Sequence, residues 1–254
     1  MKLSERLKAK GPKRILALDG GGIRGAITIG YLERIEQLLQ KRYNNSKFRL
    51  CDYFDLIGGT STGAIIAGGL AIGMSATEIK HLYNKLGDKI FSRKANIFKR
   101  LSFKFQIRAL ERELEKIFGD MTMSSERLKT GFCIVTKRAD TGSTWPIFNH
   151  PDSKYYKYTK DYLVRQVIRA STAAPTYFKP EILKVSNTQS GAFVDGGVSL
   201  HNNPAMQLFL MATLKSFKFN WETGADNLMI VSVGTGFWET KDEIDEITDN
   251  RLWD

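Results

Sequence analysis

Two short apolar segments are each followed directly by a glycine-rich turn and then by a stretch of helical character. Residues 14–18 precede glycines 20–22, and residues 53–57 precede glycines 58 and 59. A buried strand that ends in such a turn and continues into a helix is the repeating unit of α/β folds. The chain is therefore predicted to form an α/β sheet with helices packed on its faces.

The rest of the chain continues this pattern. Residues 27–42 predict an amphipathic helix, because apolar residues recur there at helical spacing: Ile27, Tyr31, Leu32, Ile35, Leu38 and Leu39. Further strands are predicted at 131–136, 144–149, 191–195 and 228–233, and further helices at 64–72, 163–173 and 204–215. No repeat or linker interrupts this order, so we expect one domain with a core over 14–207, its continuation over 208–238 and an acidic tail over 239–254.

Length and composition exclude several classes of protein. Of the 254 residues, 42% are apolar and 26% are charged, which excludes a disordered, collagen-like or coiled-coil chain. The first 13 residues are charged throughout and lack an apolar stretch, so they do not resemble a signal peptide. Cys51 and Cys133 are too few for a disulfide scaffold, and we expect both to be reduced and buried.

One uncharged segment is long enough to span a bilayer. Residues 57–77 contain no charged side chain, but six of these 21 residues are glycines and Thr60-Ser61-Thr62 lies near the start. A buried strand, a tight turn and a buried helix explain this composition better than a transmembrane helix.

The charge is basic overall and unevenly distributed. Lys and Arg number 38 against 27 acidic residues, for a net charge of +11, and the segment 239–254 alone carries −5. A basic surface attracts nucleic acid, acidic lipid headgroups or an anionic substrate, although solubility alone explains it equally well. The chain ends within the acidic segment, which suggests a piece of a longer protein.

The loop after the first predicted strand, Asp-Gly-Gly-Gly-Ile-Arg-Gly at 19–25, fits three hypotheses. Its first, third and last glycines match a dinucleotide-binding turn, which also needs an acid beyond the end of the second strand. Asp52 and Asp55 fall instead at the start and in the middle of the second predicted strand. Consecutive glycines at a helix N-terminus can also direct backbone N–H groups at a developing oxyanion. The third hypothesis is a tight turn without chemistry.

The second glycine turn holds a candidate nucleophile. Gly59-Thr60-Ser61-Thr62-Gly63 matches G-x-S-x-G and lies between a predicted strand and a predicted helix, which is the context of a nucleophile elbow. Glycines on both sides of Ser61 permit a sharp, strained turn that lifts its hydroxyl above the sheet edge. The pattern alone recurs by chance, but this context favours a nucleophile over a buried turn serine.

A serine nucleophile needs a base, and an aspartate is the better candidate here. Asp195 ends a predicted strand and can reach the same sheet edge as Ser61, although Asp-Gly is also a common turn. A carboxylate whose pKa is raised by burial can take the serine proton directly. None of the three histidines has the position of a triad base, and we expect ordinary surface or loop residues: His81, His150 and His201.

Four motifs in this order resemble those of the patatin-like phospholipases, which are related to the catalytic domain of cytosolic phospholipase A2. The family carries Asp-Gly-Gly-Gly-x-Arg-Gly, Gly-x-Ser-x-Gly, Ala-Ala-Pro-x-x-Phe and Asp-Gly-Gly, which match 19–25, 59–63, 173–178 and 195–197. The resemblance covers about residues 14–205. It implies a three-layer α/β/α fold with a mainly parallel central sheet and a Ser–Asp dyad without histidine.

The resemblance also implies a role for each motif. Ser61 would be the nucleophile and Asp195 the base, while the glycine loop would form the oxyanion hole and its arginine would brace that hole. The residues concerned are Gly20, Gly21, Gly22, Arg24 and Gly25 for the oxyanion hole, Gly59, Thr60, Thr62 and Gly63 for the elbow, and Gly196 and Gly197 for the aspartate loop.

A basic, phenylalanine-rich stretch at 89–108 is a second candidate site. Seven Lys or Arg alternate there with phenylalanine, isoleucine and leucine, and no acid interrupts them. This composition suits an anionic membrane surface, suits RNA or DNA almost as well, and also suits a helix packed on the core. The resemblance to lipases favours the membrane over nucleic acid, with contacts expected from Phe98, Lys99, Arg100, Phe103 and Lys104.

The sequence therefore predicts a serine acyl hydrolase, of phospholipase A or lysophospholipase type, that cleaves fatty-acyl esters of membrane glycerophospholipids. We expect a cytoplasmic protein that is peripheral to the membrane when active and needs no cofactor or metal. Some bacterial relatives are toxins or defence effectors, so a small-molecule or protein activator fits the resemblance. Two alternatives stay open, a nucleotide-binding α/β domain and a catalytically idle protein that binds membrane or nucleic acid.

Overall fold

Within residues 2–90 and 99–236, which the computed structural model describes, seven strands form one sheet with helices around it. The strands are β1 (Lys13–Leu18), β2 (Leu56–Thr60), β3 (Gly131–Arg138), β4 (Thr144–Phe148), β5 (Glu181–Lys184), β6 (Ser190–Asp195) and β7 (Leu228–Val233). The helices are α1 (Leu3–Lys8), α2 (Gly25–Arg42), α3 (Leu50–Tyr53), α4 (Thr62–Ala71), α5 (Ala76–Ile90), α6 (Lys99–Phe118), α7 (Tyr156–Thr159), α8 (Val164–Ser171) and α9 (Ala205–Thr213).

Five of these strands share one direction. β7, β1, β2 and β3 are adjacent and parallel in that order. β4 and β6 are antiparallel to β3, and β5 is antiparallel to β6. The predicted mainly parallel sheet is confirmed. Because β7 pairs with β1 along six residues, we propose that 14–207 and 208–238 form one domain.

Strand β1 shows how the sheet separates two apolar cores. Leu16 and Leu18 belong to the core beneath α2, α4, α5, α6 and α8. Ile15 and Ala17 belong to the core beneath α9 on the opposite face. Successive side chains of a strand point to opposite faces, and all four are fully buried. Layers of helices on both faces give the expected α/β/α architecture.

The edges of β3 determine where Ser61 and Asp195 lie. Residue Val135 pairs with both β2 and β4, so these strands occupy opposite edges of β3. Lys137 pairs with both β4 and β6, so β6 lies on the same edge as β2. β2 and β6 therefore meet end to end. Thr60 pairs with Val135 at the end of β2, and Asp195 pairs with the next residue, Thr136, at the end of β6.

The second predicted strand is wrong in its position. Residues 50–53 form α3, whose first turn is capped by a hydrogen bond from the Arg49 amide to Asp52 Oδ2, and β2 begins only at Leu56. Asp55 lies just before β2, where its carboxylate accepts hydrogen bonds from the Arg6 side chain and the Arg14 amide. Neither acid lies beyond the end of β2, as a dinucleotide site requires.

Helix α2 is amphipathic as predicted, but half of the expected apolar positions face outward. Ile27, Tyr31 and Leu38 are 49%, 61% and 49% exposed. The inward face instead includes two polar residues, Thr28 and Glu36. The Thr28 hydroxyl donates to the Gly234 carbonyl, and the Glu36 carboxylate accepts from the Ala76 amide. These hydrogen bonds offset the cost of burying polar groups.

No helix in the two described ranges combines the length and the apolar composition needed to cross a bilayer. The uncharged segment 57–77 divides into β2, a turn and α4, as predicted. Cys51 and Cys133 are both buried free thiols, which confirms that expectation.

The junction of β2 and β6 leaves no room for a side chain at Gly196. A Cβ atom added there would lie 2.4 Å from the Val135 carbonyl oxygen and 3.0 Å from Thr60 Cγ2. We predict that Gly196→Ala lowers the Tm, with a loss of roughly 1–3 kcal/mol from overpacking.

Gly30→Ala is the matched control for Gly196→Ala. Gly30 lies in α2, and a Cβ added there would have no heavy atom within 4 Å. Alanine is also more favourable than glycine in a helix by about 1 kcal/mol. The Tm of Gly30→Ala should stay equal to or exceed that of the wild type. Two variants that melt at the same temperature would contradict the crowded junction.

Candidate active site

Ser61 lies at a sharp turn between β2 and α4. Its backbone has φ 54° and ψ −122°, a conformation that residues other than glycine rarely adopt. The flanking glycines allow this turn, because neither position has room for a side chain. A Cβ added to Gly59 would lie 2.2 Å from the Gly63 carbonyl oxygen, and one added to Gly63 would lie 2.3 Å from the Leu18 carbonyl oxygen. The turn thus has the strained form expected of a nucleophile elbow.

Ser61 and Asp195 are in direct contact. Ser61 Oγ donates a hydrogen bond of 2.6 Å to Asp195 Oδ2, and the Gly197 amide donates one of 2.7 Å to Asp195 Oδ1. Asp195 is buried, and burial raises the pKa of its carboxyl, while the hydrogen bonds from Ser61 and Gly197 lower it. A carboxylate in this position can accept the serine proton when the hydroxyl attacks an electrophile.

No histidine side chain in the described part of the chain is hydrogen-bonded to Ser61 or Asp195. His81 is exposed. His201 contributes its backbone carbonyl, which accepts from Thr60 Oγ1 at 2.8 Å. His150 is not a surface residue, because it is fully buried 4.6 Å from the Phe219 ring, and burial lowers its pKa.

The glycine loop packs against Ser61, but its three amides are not equivalent. The Gly20 amide donates to the Asn202 carbonyl and the Gly21 amide to Thr62 Oγ1, both at 3.2 Å. Gly22 has φ 57°, a conformation that favours glycine, and its amide makes no hydrogen bond within the two described ranges. Of the three predicted amides, the Gly22 amide is therefore the one free to bind an oxyanion.

The other predicted loop residues serve mainly to fix this arrangement. Arg24 Nη1 donates to the Gly236 carbonyl at 3.4 Å, which links the glycine loop to the segment after β7. Gly25 begins α2 against Tyr83, whose hydroxyl donates to the Gly22 carbonyl. Thr62 is the first residue of α4, so its amide lies at a helix N-terminus, where negative charge is favoured.

The predicted membrane contacts are not tested by the structure. Phe98 lies outside the described residues, and so do the side chains of four residues in the first turns of α6: Lys99, Arg100, Phe103 and Lys104. The membrane role of this stretch stays a prediction.

Two residues that sequence reasoning missed hold the backbone of the dyad. The fully buried Ser171 accepts a hydrogen bond from the Ser61 amide at 2.9 Å and donates one to the Val135 carbonyl at 2.7 Å. The Ala173 carbonyl accepts from the Asp195 amide at 3.0 Å. Both belong to the segment around Ala-Ala-Pro, which the motif match located without giving it a role.

Asp19, the first residue of the glycine loop, is half-buried, and one of its carboxyl oxygens is fully buried. Its Oδ1 has no hydrogen-bond partner among the described residues, and burial raises the pKa of the carboxyl to about 6 even though the Asn203 side chain lowers it. Ionisation of Asp19 is therefore less favourable in the folded protein than in the unfolded chain.

We predict that Ser171→Ala lowers kcat by roughly 10- to 100-fold with little change in KM, because the strained Ser61 amide loses its acceptor and the nucleophile shifts. Thr130→Val is the matched control. Thr130 is equally buried and its hydroxyl donates to the Phe54 carbonyl, away from Ser61. Ser171→Ala removes two hydrogen bonds and Thr130→Val removes one, and each change should cost about 1–3 kcal/mol of stability. Equal losses of kcat and of fluorophosphonate labelling rate in both variants would exclude a positioning role for Ser171.

Asp19→Asn should change stability in a pH-dependent way. A carboxyl whose pKa rises from 3.8 to about 6 on folding contributes stability below pH 3.8, and this contribution is lost as the pH rises through 6. The Tm of Asp19→Asn relative to the wild type should therefore increase between pH 4 and 7 and then level off. A Tm difference that is the same at every pH would contradict the raised pKa.

Comparison with known proteins identifies the family of this chain. The family model described as patatin-like phospholipase matches residues 16–209. The chain is 32% identical over 232 residues to the cGAMP-activated phospholipase of Escherichia coli (strain TW11681), covering 87% of this chain and 62% of the relative. It is 28% identical over 262 residues to Patatin-16 of Solanum tuberosum, covering 94% of this chain and 64% of the relative.

A solved structure, VipD from Legionella pneumophila, aligns with a TM-score of 0.45 at 18% identity, covering 75% of this chain and 46% of that one. The chain spans less than two thirds of the length of the two curated relatives named above. The family match includes the glycine loop, the elbow, the Ala-Ala-Pro segment and the aspartate loop. The chain belongs to the patatin-like phospholipase family.

Proposed function

We propose that this protein is a serine acyl hydrolase that cleaves fatty-acyl esters of membrane glycerophospholipids. The observation that carries the proposal is the 2.6 Å hydrogen bond from Ser61 Oγ to Asp195 Oδ2 at a strained strand-to-helix turn. Neither alternative from the sequence accounts for this pair. A nucleotide-binding turn does not need it, and an idle binding protein would not need a buried carboxylate against a strained serine.

In the first half of the reaction, Ser61 Oγ attacks the ester carbonyl carbon while Asp195 Oδ2 accepts the hydroxyl proton. The carbonyl oxygen becomes negatively charged, and the Gly22 amide stabilises it together with the Thr62 amide at the start of α4. When the tetrahedral intermediate collapses, the protonated Asp195 returns its proton to the departing alcohol oxygen. The products are an acyl-Ser61 ester and a lysophospholipid.

In the second half, Asp195 accepts a proton from water as the water attacks the acyl-enzyme. The tetrahedral intermediate collapses to a free fatty acid, and Ser61 recovers its proton from Asp195. The raised pKa of Asp195 suits both halves, since a stronger base removes a proton more readily. Asp195 needs no separate partner to hold it, because the Gly197 and Ala173 backbones already fix its position.

Control by a small molecule extends the proposal. Two relatives, from Escherichia coli and Vibrio cholerae, are named cGAMP-activated phospholipases. We propose a cytoplasmic enzyme that acts at the membrane surface and responds to a small-molecule or protein activator. Lipid hydrolysis should therefore be measured with and without a cyclic dinucleotide.

The central test is a double-mutant comparison at the dyad. Ser61→Ala and Asp195→Asn should each lower the hydrolysis of phospholipid, measured by mass spectrometry of released fatty acid, by roughly a thousandfold or more while the Tm stays near that of the wild type. The double variant should be little worse than either single variant, because the two residues act as a unit. Additive losses, or an active Ser61→Ala, would defeat the assignment.

The same mechanism predicts that no histidine is essential. His81→Gln, His150→Gln and His201→Gln should each keep most of the kcat on a short soluble ester. In all three variants, kcat/KM should rise with pH as Asp195 ionises, because only the carboxylate can accept the serine proton. This rise should occur above pH 3.8, the usual pKa of an aspartate, because burial raises the pKa of Asp195. A folded histidine variant without activity would indicate a Ser-His-Asp triad instead.

A further inference from the structure

Three apolar side chains on the loops of the candidate site are exposed to solvent. Leu200 is 98% exposed, Ile23 56% and Val198 46%. A single exposed leucine is ordinary on a protein surface. These three, however, lie on the two loops that supply Asp195 and the Gly22 amide, and we call them the apolar rim.

The loop that carries Val198 and Leu200 is restrained along its length. Ser199 Oγ donates to the Gly196 carbonyl at 2.6 Å and accepts from the His201 amide at 3.1 Å. At the far end, Asn202 exchanges two hydrogen bonds of 3.2 Å with the backbone of Gly20 in the glycine loop. The two loops therefore form one connected surface, and the exposed Leu200 is presented at a fixed position beside the dyad.

The charge around the apolar rim is positive. The rim loops 20–25 and 196–203 contain the exposed Arg24 and no acidic residue, and the acids that precede them, Asp19 and Asp195, lie within the site. Lys137 adds an ammonium group next to the rim, because its Nζ donates to the Val198 carbonyl at 3.3 Å. Apolar side chains flanked by cations are complementary to an anionic bilayer, in which acyl chains lie beneath a layer of phosphates.

We propose that the apolar rim inserts into the surface of an anionic phospholipid bilayer and thereby brings Ser61 to the depth of the ester groups. This inference rests on the proposed function, since the ester that Ser61 attacks would lie in that layer. An apolar protein surface could also cover these side chains, but the cations beside the rim, Arg24 and Lys137, favour the lipid. The rim residues lie outside the stretch 89–108 in the sequence and belong to the loops that carry the candidate site.

The first test measures binding without chemistry. In a Ser61→Ala background, cosedimentation with vesicles of phosphatidylglycerol and phosphatidylcholine should be weakened about tenfold or more by Val198→Ser with Leu200→Ser. The matched control is Leu38→Ser with Leu214→Ser, which removes two leucines that are 49% and 46% exposed, away from the rim. It should bind like the parent. Equal binding by rim and control variants, whether both strong or both weak, would overturn the proposal.

A second measurement reports insertion directly and does not depend on lost binding. The fluorescence of Leu200→Trp should shift to shorter wavelength on adding the same vesicles, because the indole leaves water, whereas Leu214→Trp should not shift. Bound vesicles without a shift at position 200 would overturn the proposal. A wild-type protein that binds vesicles through the rim and yet hydrolyses no lipid would contradict the proposed function. That result would still support membrane insertion of the rim.

Discussion

The junction of β2 and β6 on one edge of β3 is the constraint on which the site depends. A parallel strand and an antiparallel strand end at neighbouring positions of the same edge, so the residues after Thr60 and before Gly196 must approach each other. The approach is close because Gly196 has no side chain to separate the strands. The contact between Ser61 and Asp195 is thus a consequence of backbone pairing, and it needs no intermediate side chain.

Backbone hydrogen bonds from a third segment hold this contact in place. Ser171 and Ala173 bind the amides of Ser61 and Asp195, and Ser171 also binds the Val135 carbonyl between the two strands. The strain of a positive φ at Ser61 persists only where surrounding contacts oppose its release. These three hydrogen bonds supply such contacts, and they hold Ser61 against Asp195 without an imidazole between them.

Local patterns in the sequence predict most of the alternating elements, and they predict that Ser61 and Asp195 lie at strand ends, where the structure has them. Short apolar runs and glycine turns located β1, β3, β6, β7 and the elbow because their signals are local. The second strand is predicted too early in the chain, because Tyr53 and Phe54 extend the apolar run. In the structure, the cap formed by Asp52 starts helix α3 there instead. The outward apolar face of α2 was missed because hydrogen bonds to distant backbone allow Thr28 and Glu36 to be buried.

The site's finer geometry depends on pairings that no local pattern contains. Two features of the site are set by residues 74 to 134 positions from Ser61 in the chain: Val135, Ser171 and Asp195. These residues decide which strand shares an edge of β3 with β2 and which hydroxyl accepts from the Ser61 amide. Likewise, three adjacent glycines have equivalent sequence signals, yet two of their amides are occupied by Asn202 and Thr62. Long-range contacts therefore decide which groups are available for chemistry.

The close fit of Gly63 against β1 has a consequence for the way the protein opens. An added Cβ at Gly63 would lie 2.3 Å from the Leu18 carbonyl oxygen, and β1 is flanked by strands on both edges and buried on both faces. The elbow cannot separate from this strand by a local fluctuation, since that movement would expose both cores. The Ser61 amide, which donates to the buried Ser171 hydroxyl, should therefore exchange with solvent only when the whole sheet unfolds, which makes the centre of this turn one of the slowest-exchanging positions of the molecule.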